Sequence, residues 1–461
     1  MVASSIPAVL YDVIVGGLAQ AAGDLHLHVV LDLEGEVPEG QLHTAVRNLI
    51  RDFPVLGCRY QRRLWRDRWL PVGEEFLQGM VESCGVGVAV DAALQGQLER
   101  PLDPLRQPPL RIAWHRHEGG TRLIFTILHQ VADGAGALTM VREFGLRLFP
   151  EERGGALIVP GRRDILQVAQ RLRLRQLPRL LWGSLLEGMR PFLLPFQAPT
   201  AIAQAPAGQS SGRPIFQTVR VSSAPGSPLH ELCGRVGCTV NDVLTAALAV
   251  FIARRSRCGL LGNYFTVNLR RHLPDARPRI SNLSGVAFVI LPRQAGASLE
   301  RAALAVHKHT TRLKRQLIGL PFALAPAAML ALVPHGFLRL CAGFGGRWLL
   351  GLLRRGMVLT NIGAMDPYLA PYEARLLDAS FVGPFVKNNR VPVLTAIGFR
   401  QQVMLQVGAY DDLDPRALRQ VAEELQEILS STERPKGPET GTLTSRGSPG
   451  PSPTKSPTRQ R

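Results

Sequence analysis

Lysine, aromatics and paired cysteines are scarce in this chain of 461 residues, and each shortage closes off a class of protein. Aromatic content is only 6%, and no zinc-finger spacing, helix-turn-helix signal or aromatic RNA-binding motif accompanies it, so no nucleic acid partner is expected. The six cysteines (Cys58, Cys84, Cys233, Cys238, Cys258, Cys341) form no CxxC pair and no dense cluster, which excludes a disulfide scaffold and suits reduced thiols. His26-x-His28, His115-x-His117 and His307-x-His309 have the spacing of metal pairs, but no cysteine or carboxylate set stands at ligand spacing beside them. No metal is therefore expected, and these histidines read as surface residues of strands or helices. No arginine precedes Arg47, so no secretory signal is expected. The location is read as cytoplasmic, with contact at the inner face of a membrane left open.

What is abundant is apolar residues and arginine. Hydrophobic residues make up 46% and charged residues 20%, a globular balance, over a length that suits two or three domain-sized units. The net charge is +18, and removing the six basic residues and one acid of Arg434–Arg461 still leaves +13 on the body. Only five of the basic residues are lysine (Lys308, Lys314, Lys387, Lys436, Lys455). Arginine suits bidentate contact with phosphate, and a GC-rich genome gives the same bias without function. Such a body is compatible with coenzyme A, an acidic carrier protein or a lipid surface, and does not choose among them.

The informative stretch is Thr121–Gly136. Leu123 to Leu128 is an unbroken apolar run with the composition of a strand buried on both faces. After Gly136, Ala137, Val141, Phe144 and Leu148 recur at helical spacing. His129 thus stands where a core strand gives way to a loop, and Asp133-Gly134 follow it. A neutral imidazole there can serve as a general base. Around it, Leu25–Leu33 alternates as a strand and Gln41–Phe53 is helical up to Pro54. Pro108–Trp114 is a strand, and strands are expected near Ile215–Val221, Tyr264–Arg270, Gly285–Leu291, Leu394–Phe399 and Val403–Val407. Thr239 and Asp242 have capping-box spacing ahead of Leu244, Ala247, Leu248 and Phe251, and Asp414-Pro415 opens a last amphipathic helix. Gly208-x-Ser210-x-Gly212 matches a nucleophile elbow only in letters, because neither strand nor helix flanks it.

His129-x-x-x-Asp133-Gly134 resembles the signature of acyltransferases built on the chloramphenicol acetyltransferase fold, the superfamily of the condensation domains. Strand, helix, then Phe53-Pro-Val-Leu56 resembles their opening. Asn241-Asp242-Val and Val267-Asn-Leu-Arg270 resemble blocks of the bacterial wax ester synthase/diacylglycerol acyltransferase group, and Asn361-x-Gly363 resembles a strand crossing between the halves. The likeness is nearest to that group and to the polyketide-associated acyltransferases. It implies an α/β fold of two subdomains, each a mixed sheet with helices, with an active-site tunnel between them. The expected division is 1–196 for the subdomain carrying the histidine, 197–213 for a linker, 214–432 for the second subdomain and 433–461 for a disordered basic tail.

The resemblance implies acyl transfer from a thioester, of coenzyme A or an acyl carrier protein, to a hydroxyl or amine. No permanently bound cofactor is expected. His129 would be the base, Asp133 structural and paired with Arg270 or Arg271, Gly134 an opening for the substrate, and Asn361 a supporting residue. Asn241-Asp242 is also explained by helix capping alone. Two departures stand out. Leu128 occupies a position where many relatives carry a second histidine, and the Asp-Phe-Gly-Trp-Gly block of the plant BAHD branch is absent. As a chain without adenylation or carrier segments, it is not expected to be an ordinary modular condensation domain.

Arg162–Phe196 mixes seven arginines with leucines, and suits either a membrane-surface helix or a packed helix with snorkelling arginines. Leu317–Leu338 holds no charged residue over 22 positions, yet Pro321, Pro326 and Pro334 break any single spanning helix. Short helices along an apolar channel or dipping into a membrane surface suit it better, so the acceptor is expected to be a small molecule or lipid, hydrophobic in character. The other class of function is a non-catalytic member of the fold that binds a lipid or carrier protein.

Overall fold

In the computed structural model, residues 5–431 are described apart from 24, 86–88, 152–159, 172–177, 179–181, 184–192, 195–201, 203, 206–209, 274, 276, 316–317, 321–330, 354–355 and 388–390. Most of the arginine-leucine stretch 162–196, much of the 197–213 linker, the middle of 317–338 and the tail 433–461 therefore lie outside the described residues. The strands are β1 (Ile6–Pro7), β2 (His26–Glu34), β3 (Cys58–Gln61), β4 (Arg68–Pro71), β5 (Val81–Ser83), β6 (Leu110–His117) and β7 (Gly120–Leu128). In the second half come β8 (Pro214–Ser222), β9 (Leu260–Asn268), β10 (Ser284–Pro292), β11 (Met357–Ala364), β12 (Leu376–Val382), β13 (Val393–Phe399) and β14 (Gln402–Tyr410).

The strands form two large mixed sheets, in the orders β12-β2-β7-β6-β5 and β10-β9-β11-β13-β14-β8, with a small third sheet β1-β4-β3. β7 is the middle strand of the first sheet, which is why its apolar run is continuous rather than alternating: Leu123–Leu128 is buried throughout. One face carries Leu27, Val29, Leu31, Leu33, Leu123, Phe125 and Ile127 against the helices Glu39–Asp52 and Gly134–Leu148, where Phe125 and Phe144 meet edge to face. The opposite face holds Val30, Ala113 and Ile124 under Ala93 of a shorter helix, Val90–Leu98.

That second cover corrects the reading of the paired histidines. His26, His28 and His115 are buried, not surface residues, because the face they share is also packed. Burial, then the neighbouring His26 and Arg111, holds the His28 imidazole well below its ordinary value, and its Nδ1 lies 3.2 Å from the Thr126 hydroxyl. Among the described residues, no group of three His, Cys, Asp or Glu side chains is placed to hold a metal ion.

The second sheet is organised round the helix Val240–Arg255, whose residues from Asp242 to Ala253 are all buried. Thr239 and Asp242 form the capping box at its start, and Asp242 also accepts from Thr310 Oγ1 at 2.7 Å. β12 leaves this half of the chain to pair antiparallel with β2 in the other sheet. Pro334 immediately precedes a helix, His335–Leu353, that packs against Leu10–Ala22. Among the described residues no single helix is long and apolar enough to cross a membrane.

Candidate functional site

His129 follows the last residue of β7, and its backbone N–H donates to Leu25 O at 3.0 Å, which ties the loop to the start of β2. The segment Ile280–Ser284, leading into β10 from the other half of the chain, lies directly against it. Asn282 on that segment decides the state of the imidazole. Its Nδ2 donates to His129 O at 2.8 Å and to Gln130 O at 3.0 Å, so the amide has one orientation, with Oδ1 facing His129 Nδ1 at 3.1 Å. An acceptor opposite Nδ1 requires Nδ1 to carry the proton, and the lone pair of the neutral ring is then on Nε2. The half-buried ring is thereby fixed in plane and in tautomer by a side chain 153 positions away.

Asp133 is the N-cap of the helix Gly134–Leu148 and accepts from Gly136 N at 2.8 Å. Its other oxygen accepts from Leu283 N at 2.7 Å and from the Ser284 hydroxyl at 2.9 Å. Arg270 places Nη1 and Nη2 each 2.9 Å from the carboxylate, and Nη2 also donates to Ser281 O at 2.8 Å. Arg271 is exposed and is not this partner. Burial pushes the Asp133 carboxyl up, but Arg270 and these hydrogen bonds outweigh it and hold it below the usual range. The Tyr11 phenol is pushed up, by burial first and the Asp133 charge second, and stays protonated.

Gly134 and Gly136 are required by close approach. A Cβ on Gly134 would lie 2.9 Å from Ile362, a residue of β11 at the bulge between Asn361 and Gly363. A Cβ on Gly136 would lie 2.8 Å from Ser281 O and 3.1 Å from Arg270 Nη2. Space at Gly134 is thus taken by a side chain of this protein. Asn361 stands apart from the imidazole: its Nδ2 donates to Asn241 Oδ1 at 3.2 Å and its Oδ1 accepts from Gly363 N at 3.0 Å, which stabilises the bulge.

Arg163, absent from the sequence reading, meets the same loop from the other side. Its guanidinium donates to Val131 O at 3.2 Å, to Ile280 O at 2.9 Å and to both carboxylate oxygens of Asp12, at 2.7 and 3.1 Å. Arg163 and Arg270 therefore hold consecutive carbonyls, Ile280 and Ser281, and present Asn282 next in line. Of the described cavities, one of about 210 Å³ lies against Leu128 and Gln130, the two neighbours of His129. Another, of about 350 Å³, is lined by His26, His28, Arg213, Lys387 and Tyr410. The Gly208–Gly212 match is no nucleophile elbow where it is described: Ser210 Oγ donates to Asp411 Oδ1 at 2.9 Å.

No family model and no curated protein matches the sequence. Solved structures do match over nearly the whole chain. The epimerization domain from the third module of tyrocidine synthetase B superposes with a TM-score of 0.67 at 13% identity, covering 92% of this chain and 96% of the other. Polyketide synthase associated protein 5 from Mycobacterium tuberculosis gives 0.62 at 14%, covering 93% and 99%. TRI3 trichothecene 15-O-acetyltransferase from Fusarium sporotrichioides gives 0.64 at 10%, covering 93% and 96%. The shared feature at such identities is the fold.

Proposed function

On the chloramphenicol acetyltransferase-like, condensation-domain fold that this chain has, we propose an acyltransferase that moves an acyl group from a thioester to a hydroxyl or amine. The observation that carries the reading is the Asn282 amide, which puts the lone pair of the neutral His129 ring on Nε2. Nε2 takes the proton of the acceptor O–H or N–H as that atom bonds to the thioester carbonyl carbon. As the carbon–sulfur bond breaks, the imidazolium returns the proton to the departing thiolate. Asp133 and Arg270 hold the loop and touch no reacting atom. Arginine-rich charge suits a donor bearing phosphate, either coenzyme A or an acidic acyl carrier protein. The acceptor is taken to be hydrophobic, a small molecule or a lipid, and the location cytoplasmic with a membrane face in reach.

The test is turnover of a panel of acyl thioesters in the presence of cell extract, read by mass spectrometry of products. His129→Ala is expected to lose about 10²- to 10⁴-fold in rate. Asn282→Ala is expected to lower kcat by up to about 10²-fold with KM held, since the ring loses orientation and not substrate contact. Unchanged turnover in His129→Ala would overturn the base assignment. A second reading, a binding protein for a lipid or carrier protein without catalysis, is favoured by one observation: the cavity of about 210 Å³ beside the loop is lined by Leu128 and Gln130 and not by His129. Ligand retention with no thioester consumed by the wild type would support it.

A further inference from the structure

We infer that this protein docks on an anionic bilayer surface through an apolar cap built from the loop Arg62–Arg66 and the first turns of the helix His335–Leu353. Leu64, Trp65, Leu332, Phe337, Leu340 and Phe344 each leave 57–85% of their surface in solvent. Phe337, Leu340 and Phe344 are spaced to share one helix face. The pieces are stitched together by backbone: Gly336 N donates to Leu64 O at 2.7 Å and His335 N to Trp65 O at 3.0 Å. Arg66 Nη2 donates to Ala331 O at 2.6 Å, which brings Leu332 to the same place. Large exposed side chains gathered in this way mark an interaction surface, whereas scattered ones do not.

Charge selects the partner. Arg62, Arg63 and Arg66 are exposed round the apolar residues. The one acid in 61–68 and 331–344, Asp67, is buried and bound by Arg339, the Tyr60 hydroxyl and Arg63 N. Trp, Phe and Leu accompanied by arginine, with no free carboxylate in these two stretches, is the composition of an interfacial contact with anionic lipid. Arginine stems lie along the apolar surface while their guanidinium groups reach phosphate. The helix is held in place from beneath, since a Cβ on Gly17 would meet Ala342 at 2.5 Å. The 210 Å³ cavity lies under this cap, with Arg62 and Arg339 lining one part and Leu128 and Gln130 another. An apolar substrate leaving the bilayer would meet the His129 loop there; this last clause rests on the acyl-transfer reading, and the docking does not.

The full chain is sedimented with vesicles of phosphatidylcholine, with and without phosphatidylglycerol. Binding is expected on the anionic vesicles, weakened by added salt and about fivefold by each of Arg62→Ala and Arg63→Ala. Leu64→Ser with Trp65→Ser is expected to weaken it by at least about tenfold, and because both side chains face solvent the thermal midpoint stays at the wild-type value. No sedimentation with anionic vesicles overturns the proposal, as does equal binding by the variants. A concentration-dependent dimer in ultracentrifugation that the serine pair abolishes, with no vesicle binding, would make the cap a self-association surface instead. The assay contains no thioester, so its outcome is independent of whether the chain transfers acyl groups.

Discussion

Two buried carboxylates flank the His129 loop, each paired with an arginine that also holds a carbonyl of the Ile280–Ser281 segment, yet folding shifts them in opposite directions. Asp12 is completely buried and receives Arg163, Trp69 Nε1 at 2.8 Å and Val9 N at 3.1 Å. Burial still wins there, and its carboxyl sits above the ordinary value of 3.8. Asp133 receives Arg270, two backbone amides and a hydroxyl, and sits below 3.8. Ion pairing alone therefore does not set the state of a buried acid. Both acids stand at a helix N-terminus, Asp12 in the first turn of Leu10–Ala22 and Asp133 as the cap of Gly134–Leu148, so the amides aimed at both Asp133 oxygens make the difference.

The largest expected effect follows from breaking the better-compensated pair. Asp133→Asn leaves Arg270 without its counter-charge and is expected to cost about 3–5 kcal/mol at neutral pH, read from the denaturant midpoint. Because the folded-state value lies below 3.8, the Asp133 charge contributes stability above that pH and the contribution is lost as pH falls through the folded value. The gap between wild type and Asp133→Asn should therefore close in acid.

Asp12→Asn is expected to cost less, about 1–3 kcal/mol, because Arg163 keeps the Val131 and Ile280 carbonyls. Here the sign reverses. A folded-state value above 3.8 means that the carboxyl is most compatible with the fold when protonated, and stability falls as pH rises through that value. The gap between wild type and Asp12→Asn should narrow toward neutral pH while that of Asp133→Asn widens. Stability curves of the two variants with slopes of the same sign would show that the contrast drawn between them is wrong.

How much of this was legible in the sequence depends on whether a residue's role is local. β7 and His129 at its end follow from an apolar run, and Thr239 with Asp242 from capping chemistry, whereas the cap formed by Asp133 belongs to the structure alone. The Asp133–Arg270 contact came only through resemblance. Asn282 and Arg163 carried no periodic signal, since each acts by side-chain hydrogen bonds to carbonyls more than thirty residues away in the chain. The polar pair Ser281-Asn282 in front of an apolar strand was the one available hint. The surface expectation for His26 and His28 fails for a related reason. Alternation shows that a strand has two faces, but whether the second face is also covered depends on where Val90–Leu98 packs.

The smallest expected effect belongs to a third carboxylate, Asp411, which shows what the same chemistry is worth near solvent. It accepts from the Ser210 hydroxyl at 2.9 Å, the Ser211 hydroxyl at 2.6 Å, and the backbone amides of Ser211, Gly212 and Arg213 at 3.0, 2.9 and 3.1 Å. What little burial it has raises its carboxyl, and these donors bring it down to about 2. Its contribution is therefore present above 3.8 and lost as pH falls toward about 2. Water can replace every one of those donors, so Asp411→Asn should cost only about 1 kcal/mol although Asp411 has as many partner atoms as Asp133. The effect should be local, with faster hydrogen exchange at the Gly212 and Arg213 amides and an almost unmoved global midpoint. Unaltered exchange at those two amides would mean that the clasp between 210–213 and the end of β14 is held by something other than this carboxylate.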